Sequence, residues 1–440
     1  MHEQTVLIIG EVFIDTHLDI IDENGPLVRL GGIFHSARAF SSLGINYALA
    51  YYAPDYLDED INYWSLYLST RSCHKLGSIN RAPNVMLVNE SKEAGEQGYY
   101  NILKDQAEYV DIADINNIIS IVNPTDILLF PGRYDNAKIL RDLQGFKGKL
   151  HIDFHYDSEN IMDSINQKIE TIVLSTSSDF YKQCCNGDLD CLIEYFHDYQ
   201  VNQFLVKENR GGSFCYLSKE KSIYESASYY VPTMHSVGVG DVYNSIFISS
   251  LFGNDLAKKM KLAALCAAKY AETMSYEKYQ ENARLVYDNI DELSDLVGTR
   301  LPWKDRKKIN IYLAAPDFPD VNTELLDRLK DCLIYHNFTP RLPVRENGLA
   351  TRELNSEDEI KIYQGDISLL SDCDLLIAVL LYNDPGTLVE LGMFKQSGKP
   401  TIIYDPYNYC DNMFARHTPD YFCKTIPDVI NATYLCIGRR

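Results

Sequence analysis

Three carboxylates near the end of the chain, Asp366, Asp384 and Glu390, have types and spacing that suit chemistry on a ligand. Asp384 and Glu390 flank the turn in Asn383-Asp384-Pro385-Gly386-Thr387-Leu388-Val389-Glu390-Leu391-Gly392, which follows an unbroken apolar run over 375–381. Such a run reads as a strand buried on both faces, as in a parallel sheet, and the turn delivers the chain into a helix at Thr387. A carboxylate just past that turn stands at the C-terminal edge of a sheet, where open α/β folds bind ligands, and at the positive end of a helix. Carboxylates there can stabilise a developing positive charge, bond to it, or hand a proton to a departing group. Thr387-Leu388-Val389-Glu390 also fits a capping box, with Thr387 as the cap and Glu390 reaching back to its amide. The company of Asp384 and of Asp366, upstream in Tyr363-Gln364-Gly365-Asp366, weighs against that plainer role. Ile309-Asn310-Ile311-Tyr312-Leu313-Ala314-Ala315-Pro316 is the matching first strand, ending in small residues that open onto a site.

From Ile309 to the C-terminus the chain resembles the nucleoside 2-deoxyribosyltransferase family, which also includes nucleotide N-hydrolases. The resemblance rests on the strand opening with Ile311 and Tyr312, on Asp366 before a helix, on the apolar strand, and on Asp384-x-Gly386-Thr387-x-x-Glu390-x-Gly392. It implies that Glu390 is the nucleophile, that Tyr312 orients it, and that Asp366 and Asp384 manage the sugar and the proton on the base. Gly386 belongs to the implied substrate site, and no cofactor is implied for this part. Family members borrow an asparagine from a neighbouring subunit, in a segment like Asp411-Asn412-Met413-Phe414. Asn412 is then a substrate contact in a homo-oligomer; an ordinary surface loop is the alternative. Cleaving an N-glycosidic bond builds oxocarbenium character at C1′, which a carboxylate below the sugar stabilises or captures. Glu390 must be ionised for this, as a helix N-terminus favours, while the base needs a proton from a neutral acid. Sequence leaves open which aspartate is that acid, and whether water or a second base reaches C1′.

At 440 residues, 46% of them hydrophobic, the chain has room for two or three domains. Its formal net charge of −21 argues against nucleic acid as a partner, because binding a polyanion needs clustered Lys and Arg. Small anionic ligands stay open, since backbone amides bind phosphate whatever the net charge. No secretory pattern precedes the apolar residues 6–9, and no apolar run reaches membrane-spanning length, so a cytoplasmic protein without a membrane partner is expected. The 11 cysteines form no Cys-x-x-Cys pair, and the adjacent Cys184-Cys185 suits no single bridge, so reduced thiols are expected.

Before Ile309, strand-like and helix-like stretches alternate, which argues α/β. Residues 6–15 read as one strand ending in Asp15, and Asn24-Gly25-Pro26 as a turn. Leu30-Gly31-Gly32 leads into a small-residue helix that stops at Gly44. Residues 149–153, 171–174 and 204–206 read as later strands. In His235-Ser236-Val237-Gly238-Val239-Gly240-Asp241 the glycines let backbone amides converge at a helix start, a nest for negative charge, with Asp241 placed to take a proton from a substrate hydroxyl. A tight turn with Asp241 as N-cap is the plainer alternative. His151, Asp153 and His155 share one face of a strand at a spacing a metal could use.

Residues 1–303 resemble the ribokinase-like (PfkB-type) sugar and nucleoside kinase family. The resemblance is carried by Asp15, by the Gly31-Gly32 helix, by Gly238-Val239-Gly240-Asp241, by Phe204 through Gly211-Gly212, and by Ala263 through Lys269. It implies ATP and Mg²⁺ as cofactors and a substrate site formed by Asp15, Gly31, Gly32 and the position of His35. It also implies phosphate contacts from Gly211, Gly238, Val239 and Gly240, and Asp241 as the catalytic base. Asp153 falls where the family already has an aspartate, so no metal site is assigned to the histidines. His35 and His155 stand where the family usually has Asn, and His235 where it has Asp. The Asn-x-x-Glu element that organises Mg²⁺ and phosphate is not visible around Ser175-Thr176-Ser177-Ser178-Asp179. Phosphoryl transfer depends on positioning and metal-assisted charge neutralisation, so these departures bear on turnover more than on fold or ligand binding.

A break at Leu301-Pro302-Trp303 and a charged run over 304–308 mark a linker. The expected architecture is α/β throughout: a ribokinase-like domain over 1–303, then a smaller doubly wound, flavodoxin-like parallel-sheet domain over 304–440. The expected activity is cleavage or deoxyribosyl transfer at the N-glycosidic bond of a nucleoside, nucleotide or related ligand, beside a domain that binds or phosphorylates a nucleoside or sugar. One alternative is an active kinase with an accessory C-terminal domain. Another is a nucleotide sensor gating an effector that depletes nucleotides or NAD under stress or viral attack.

Overall fold

The structure, a computed structural model, describes residues 4–438 except 24, 97, 155–160, 162–163, 179, 183–187 and 351–354. His155, Asp179, Cys184 and Cys185 lie outside the described residues. The chain divides into two compact units, one of Met1–Lys92 with Gln97–Arg300, the other of Glu93–Glu96 with Leu301–Arg440.

The apolar runs of the first unit build a ten-stranded sheet among the described residues. Its centre is parallel, from Val201–Lys207 through Ile169–Ser175, Lys149–Asp153, Asp126–Leu129, Thr5–Glu11 and Asn46–Ala53 to Cys73–Asn80. Strand Thr5–Glu11 is buried at every position, as a central parallel strand should be. A second, four-stranded sheet carries Ile14–Asp22 between Gly25–Leu30 and Val85–Val88. Residues 6–15 are therefore two strands in different sheets rather than one. At the crossing, Val12 donates its amide to Tyr52 and Ile14 donates to Asn84, which moves Asp15 into the small sheet opposite Arg29.

The second unit holds five parallel strands in the order Thr339–Arg341, Asn310–Ala314, Leu375–Val379, Thr401–Tyr404, Tyr421–Cys423. This is the flavodoxin order, whose ligand crevice lies where the first and third strands adjoin. Alternation along the strands feeds two cores: Ile311, Ile377 and Ile402 pack on one face, Tyr312, Ala378 and Ile403 on the other. Residues 93–96 belong to this unit because Ala94 is buried in its core and accepts from His336 Nε2 at 3.0 Å, while Tyr335 donates to Glu93 at 3.0 Å.

Among the described residues no helix is long and apolar enough to cross a membrane. Eight described cysteines are in no disulfide, whereas Cys191 is disulfide-bonded, an exception to the reduced state expected from sequence.

Ile377 is fully buried at the centre of the second unit's sheet. Ile377→Ala should cost about 3 kcal/mol by lost burial and residual cavity, read as an earlier urea transition of that unit.

Candidate functional site

In the second unit the strand Leu375–Val379 runs out into a short loop, and the helix Pro385–Gln396 begins with proline at its first position. Asp384, not Thr387, is the cap: its Oδ2 accepts from the Thr387 amide at 2.8 Å and from the Thr387 hydroxyl at 2.9 Å. The helix thus starts two residues earlier than its apolar pattern suggests, and the capping box with Glu390 does not form. Gly386 is the second residue of the helix. Freed from the cap, Glu390 projects to the first strand, where Tyr312 donates its hydroxyl to Oε1 at 2.6 Å.

Glu390 is half-buried and lies beyond the helix's first turn, where the pull of the helix end has faded. Burial, reinforced by repulsion from Asp366 and Asp384, pushes its pKa up to about 7 against the lowering effect of the Tyr312 hydrogen bond. The expectation that a helix end keeps this group ionised is therefore corrected: burial leaves the carboxyl balanced between its two states near neutrality. Burial and the negative charge of Glu390 push the Tyr312 hydroxyl up as well, so it stays a donor.

Asp366 lies inside the helix Ser356–Asp372 rather than before one. Asn347, which the sequence gave no reason to single out, donates its amide to Asp366 Oδ1 at 2.8 Å. A Cβ at Gly365 would come within 3.0 Å of that amide, so glycine there lets the pair form. Burial raises the Asp366 pKa, opposed in part by Asn347. Tyr312, Asp366, Asp384 and Glu390 thus form one electrostatic cluster at the switch point. Asn412 stands apart as an exposed helix cap, its Oδ1 accepting from Phe414 at 2.8 Å.

The first unit gathers its own set. Asp15 Oδ2 lies 3.0 Å from His35 Nε2, and His35 Nδ1 meets the Tyr270 hydroxyl at 2.9 Å. Gly31 and Gly238 are the close approaches: a Cβ would lie 2.2 Å from the Asp15 carboxylate at the first and 2.1 Å from the His35 ring at the second. Gly32, with φ 59°, caps the helix Ile33–Ser42. Burial would raise the Asp15 pKa, but the polar contact with His35 and the charge of Arg29 hold it below the usual value.

Gly238 caps the helix that opens with Val239 and Gly240, so Asp241 sits in its first turn and is not the N-cap. Burial and neighbouring Asp153 push the Asp241 pKa up to about 7, with Lys207 pulling the other way. Lys207 Nζ lies 3.6 Å from Asp153 Oδ2 and 3.5 Å from the Gly240 carbonyl. Lys207 and Asn244, which donates to Asp153 Oδ2, were not picked out from sequence. Gly211 is buried, its carbonyl accepting from Arg300 at 2.8 Å. His151 spends both ring nitrogens, on Thr171 at 2.9 Å and Asp126 at 3.3 Å, while Asp153 turns to Lys207 and Asn244.

Residues 311–418 match the family model described as Nucleoside 2-deoxyribosyltransferase. No curated protein matches the chain. Among solved structures, ribokinase from Giardia lamblia is similar at 13% identity with a TM-score of 0.50, covering 66% of this chain and 99% of that one. Arabidopsis thaliana ribokinase complexed with ribose and ATP gives 11% identity and a TM-score of 0.47, covering 64% and 99%. Fructokinase with bound ATP from Xylella fastidiosa gives 13% and 0.48, covering 65% and 99%. The first part of the chain has a ribokinase-like fold, followed by a separate all-parallel five-stranded sheet.

Because Glu390 holds its proton more tightly when folded than its ordinary value of 4.5 allows, its charged form is a cost that appears as pH rises from 4.5 through about 7. Glu390→Gln should therefore raise stability by about 2 kcal/mol above pH 7 and leave it unchanged below pH 4. Thermal melts at pH 8 and pH 4 check this; an equal shift at both would contradict it.

Proposed function

We propose that the second unit cleaves, or transfers at, the N-glycosidic bond of a nucleoside, nucleotide or related ligand, with Glu390 as the nucleophilic carboxylate. The observation that carries this reading is the 2.6 Å Tyr312–Glu390 hydrogen bond in a cluster with Asp366 and Asp384 at the sheet's switch point. In its ionised form Glu390 meets the positive charge that grows at C1′ as the C1′–N bond breaks and the bonding pair leaves with the base. That growing charge is felt more strongly by a half-desolvated carboxylate than by one in water. Asp366, whose burial favours the neutral acid, is the group we assign to protonate the departing base. Asp384, whose Oδ2 already receives two donors, is assigned to the sugar. Asn412, whose oxygen is spent capping its helix, would have its side-chain N–H groups to offer a partner's site in a homo-oligomer.

In the first unit we assign Asp15, Gly31, Gly32 and His35 to a nucleoside or sugar. The amides at Val239 and Gly240 would meet a phosphate of ATP. Asp153 Oδ1 and Asn244 Oδ1 are buried oxygens without hydrogen-bond partners, a donor set that suits Mg²⁺. Mg²⁺ there would supply charge neutralisation on the transferring phosphate. Asp241, poised near pH 7, favours a second reading in which this unit is an active kinase.

Incubation with nucleosides, nucleotides and NAD should release free base, seen by chromatography, and Glu390→Ala should lower that rate by about a thousandfold or more. An unchanged panel with both proteins would contradict the assignment. ADP formation that requires added nucleoside or sugar and disappears in Asp241→Asn would establish the kinase reading.

A further inference from the structure

The side-chain cluster around Asp15 carries more positive charge than its one buried carboxylate can balance. Asp15 and Arg29 are register partners on antiparallel strands, so their side chains leave the same face of the small sheet. The Arg29 side chain is 8% exposed, and its Nε lies 3.9 Å from Asp15 Oδ2, too far to donate, with no hydrogen-bond partner. Its Nη2 reaches Val237 O at 3.1 Å and His235 Nδ1 at 3.3 Å. One turn after His35 on the same helix, Arg38 is 5% exposed, and its Nη1 likewise has no partner. Asp15 Oδ2 lies 3.0 Å from His35 Nε2 and, like the two guanidinium nitrogens, has no hydrogen-bond partner.

The surrounding histidines add no compensating charge. His17, His35 and His235 are all buried, and burial pulls the first two down to about 4 and the third well below its usual value, so they are neutral. Asp19, at the rim, is exposed and bonds the amide and hydroxyl of Ser91. Two buried guanidiniums thus share one carboxylate. An uncompensated buried charge is costly, and the cost falls when a ligand brings the opposite charge. Guanidinium also matches the geometry of phosphate oxygens, which accept two parallel N–H bonds.

We propose that this cluster takes a phosphorylated pentose, free or as the sugar of a nucleoside monophosphate, with the phosphate received by Arg29 and Arg38. The proposal rests on reading the Asp15 cluster as a nucleoside or sugar site and narrows that site to an anionic ligand. A phosphorylated pentose is also what the second unit would release by hydrolysing a nucleoside monophosphate, so the two activities would share one class of compound.

Calorimetric titration of full-length Glu390→Ala, which cannot consume the ligands, with ribose, ribose 5-phosphate, adenosine and AMP tests it. The phosphorylated member of at least one pair should bind about tenfold or more tightly than its partner. Which pair shows the preference distinguishes free sugar phosphate from nucleotide. Arg29→Met and Arg38→Met should each abolish that preference, costing the phosphorylated compound about tenfold more affinity than the unphosphorylated one; a merely structural role would weaken both alike. Should either fail to fold, Arg29→Lys and Arg38→Lys serve, with a reduced preference expected. Equal or weaker binding of both phosphorylated compounds, or a preference that survives every substitution, overturns the proposal alone. Binding of none of the four overturns the site assignment with it, and base release by the wild type remains a separate question.

Discussion

Glu390 sits where water reaches it poorly and where two more carboxylates repel its charge, and a tyrosine hydroxyl is what keeps it in place. The second unit is organised around that conflict. The flavodoxin strand order puts Tyr312 on the first strand beside the third, and Asp384 ends the loop by capping the helix from which Glu390 projects. A group held this way is poorly satisfied until something positive forms in front of it, which is the condition under which binding is stronger in a transition state than in the ground state. The geometry gives no comparable reward for a neutral, unreacting ligand.

The first unit treats charge differently. Its buried aspartate is held by a histidine and faces two guanidiniums, and its second acidic pair, Asp153 and Asp241, has Lys207 beside it. The overall charge of −21 is thus a poor guide to either site. On the proposed reading, a strongly acidic chain holds one site suited to a growing cation and another suited to an anion.

Much of the architecture was legible because it follows from local pattern. The apolar run over 375–381, the small-residue helix after Gly32 and the glycines before Asp241 each found the element expected of them. The departures occurred where local signals compete or where contacts are distant. Thr387 and Asp384 are both good caps, and Pro385 at the first helical position decided for Asp384. Nothing in Gly10-Glu11-Val12-Phe13 announces a change of sheet, because Val12 is as apolar as its neighbours and the crossing is fixed by hydrogen bonds to Tyr52 and Asn84. Asn347 and Arg38 escaped notice for the same reason: their roles depend on partners brought close only by folding. The membership of residues 93–96 in the second unit is likewise a matter of tertiary packing, with Ala94 giving no hint in sequence that its carbonyl meets His336.

The central claim is that one carboxylate, perturbed by its surroundings, does the work at C1′. The most direct measurement is the pH dependence of base release in a single turnover, for the wild type and for Tyr312→Phe. The rate should rise as Glu390 ionises, with a midpoint near 7, and the midpoint should move upward in Tyr312→Phe, because the hydrogen bond that favours the ionised form is gone. A flat profile, or a midpoint near 4.5 that Tyr312→Phe leaves unmoved, would contradict the account.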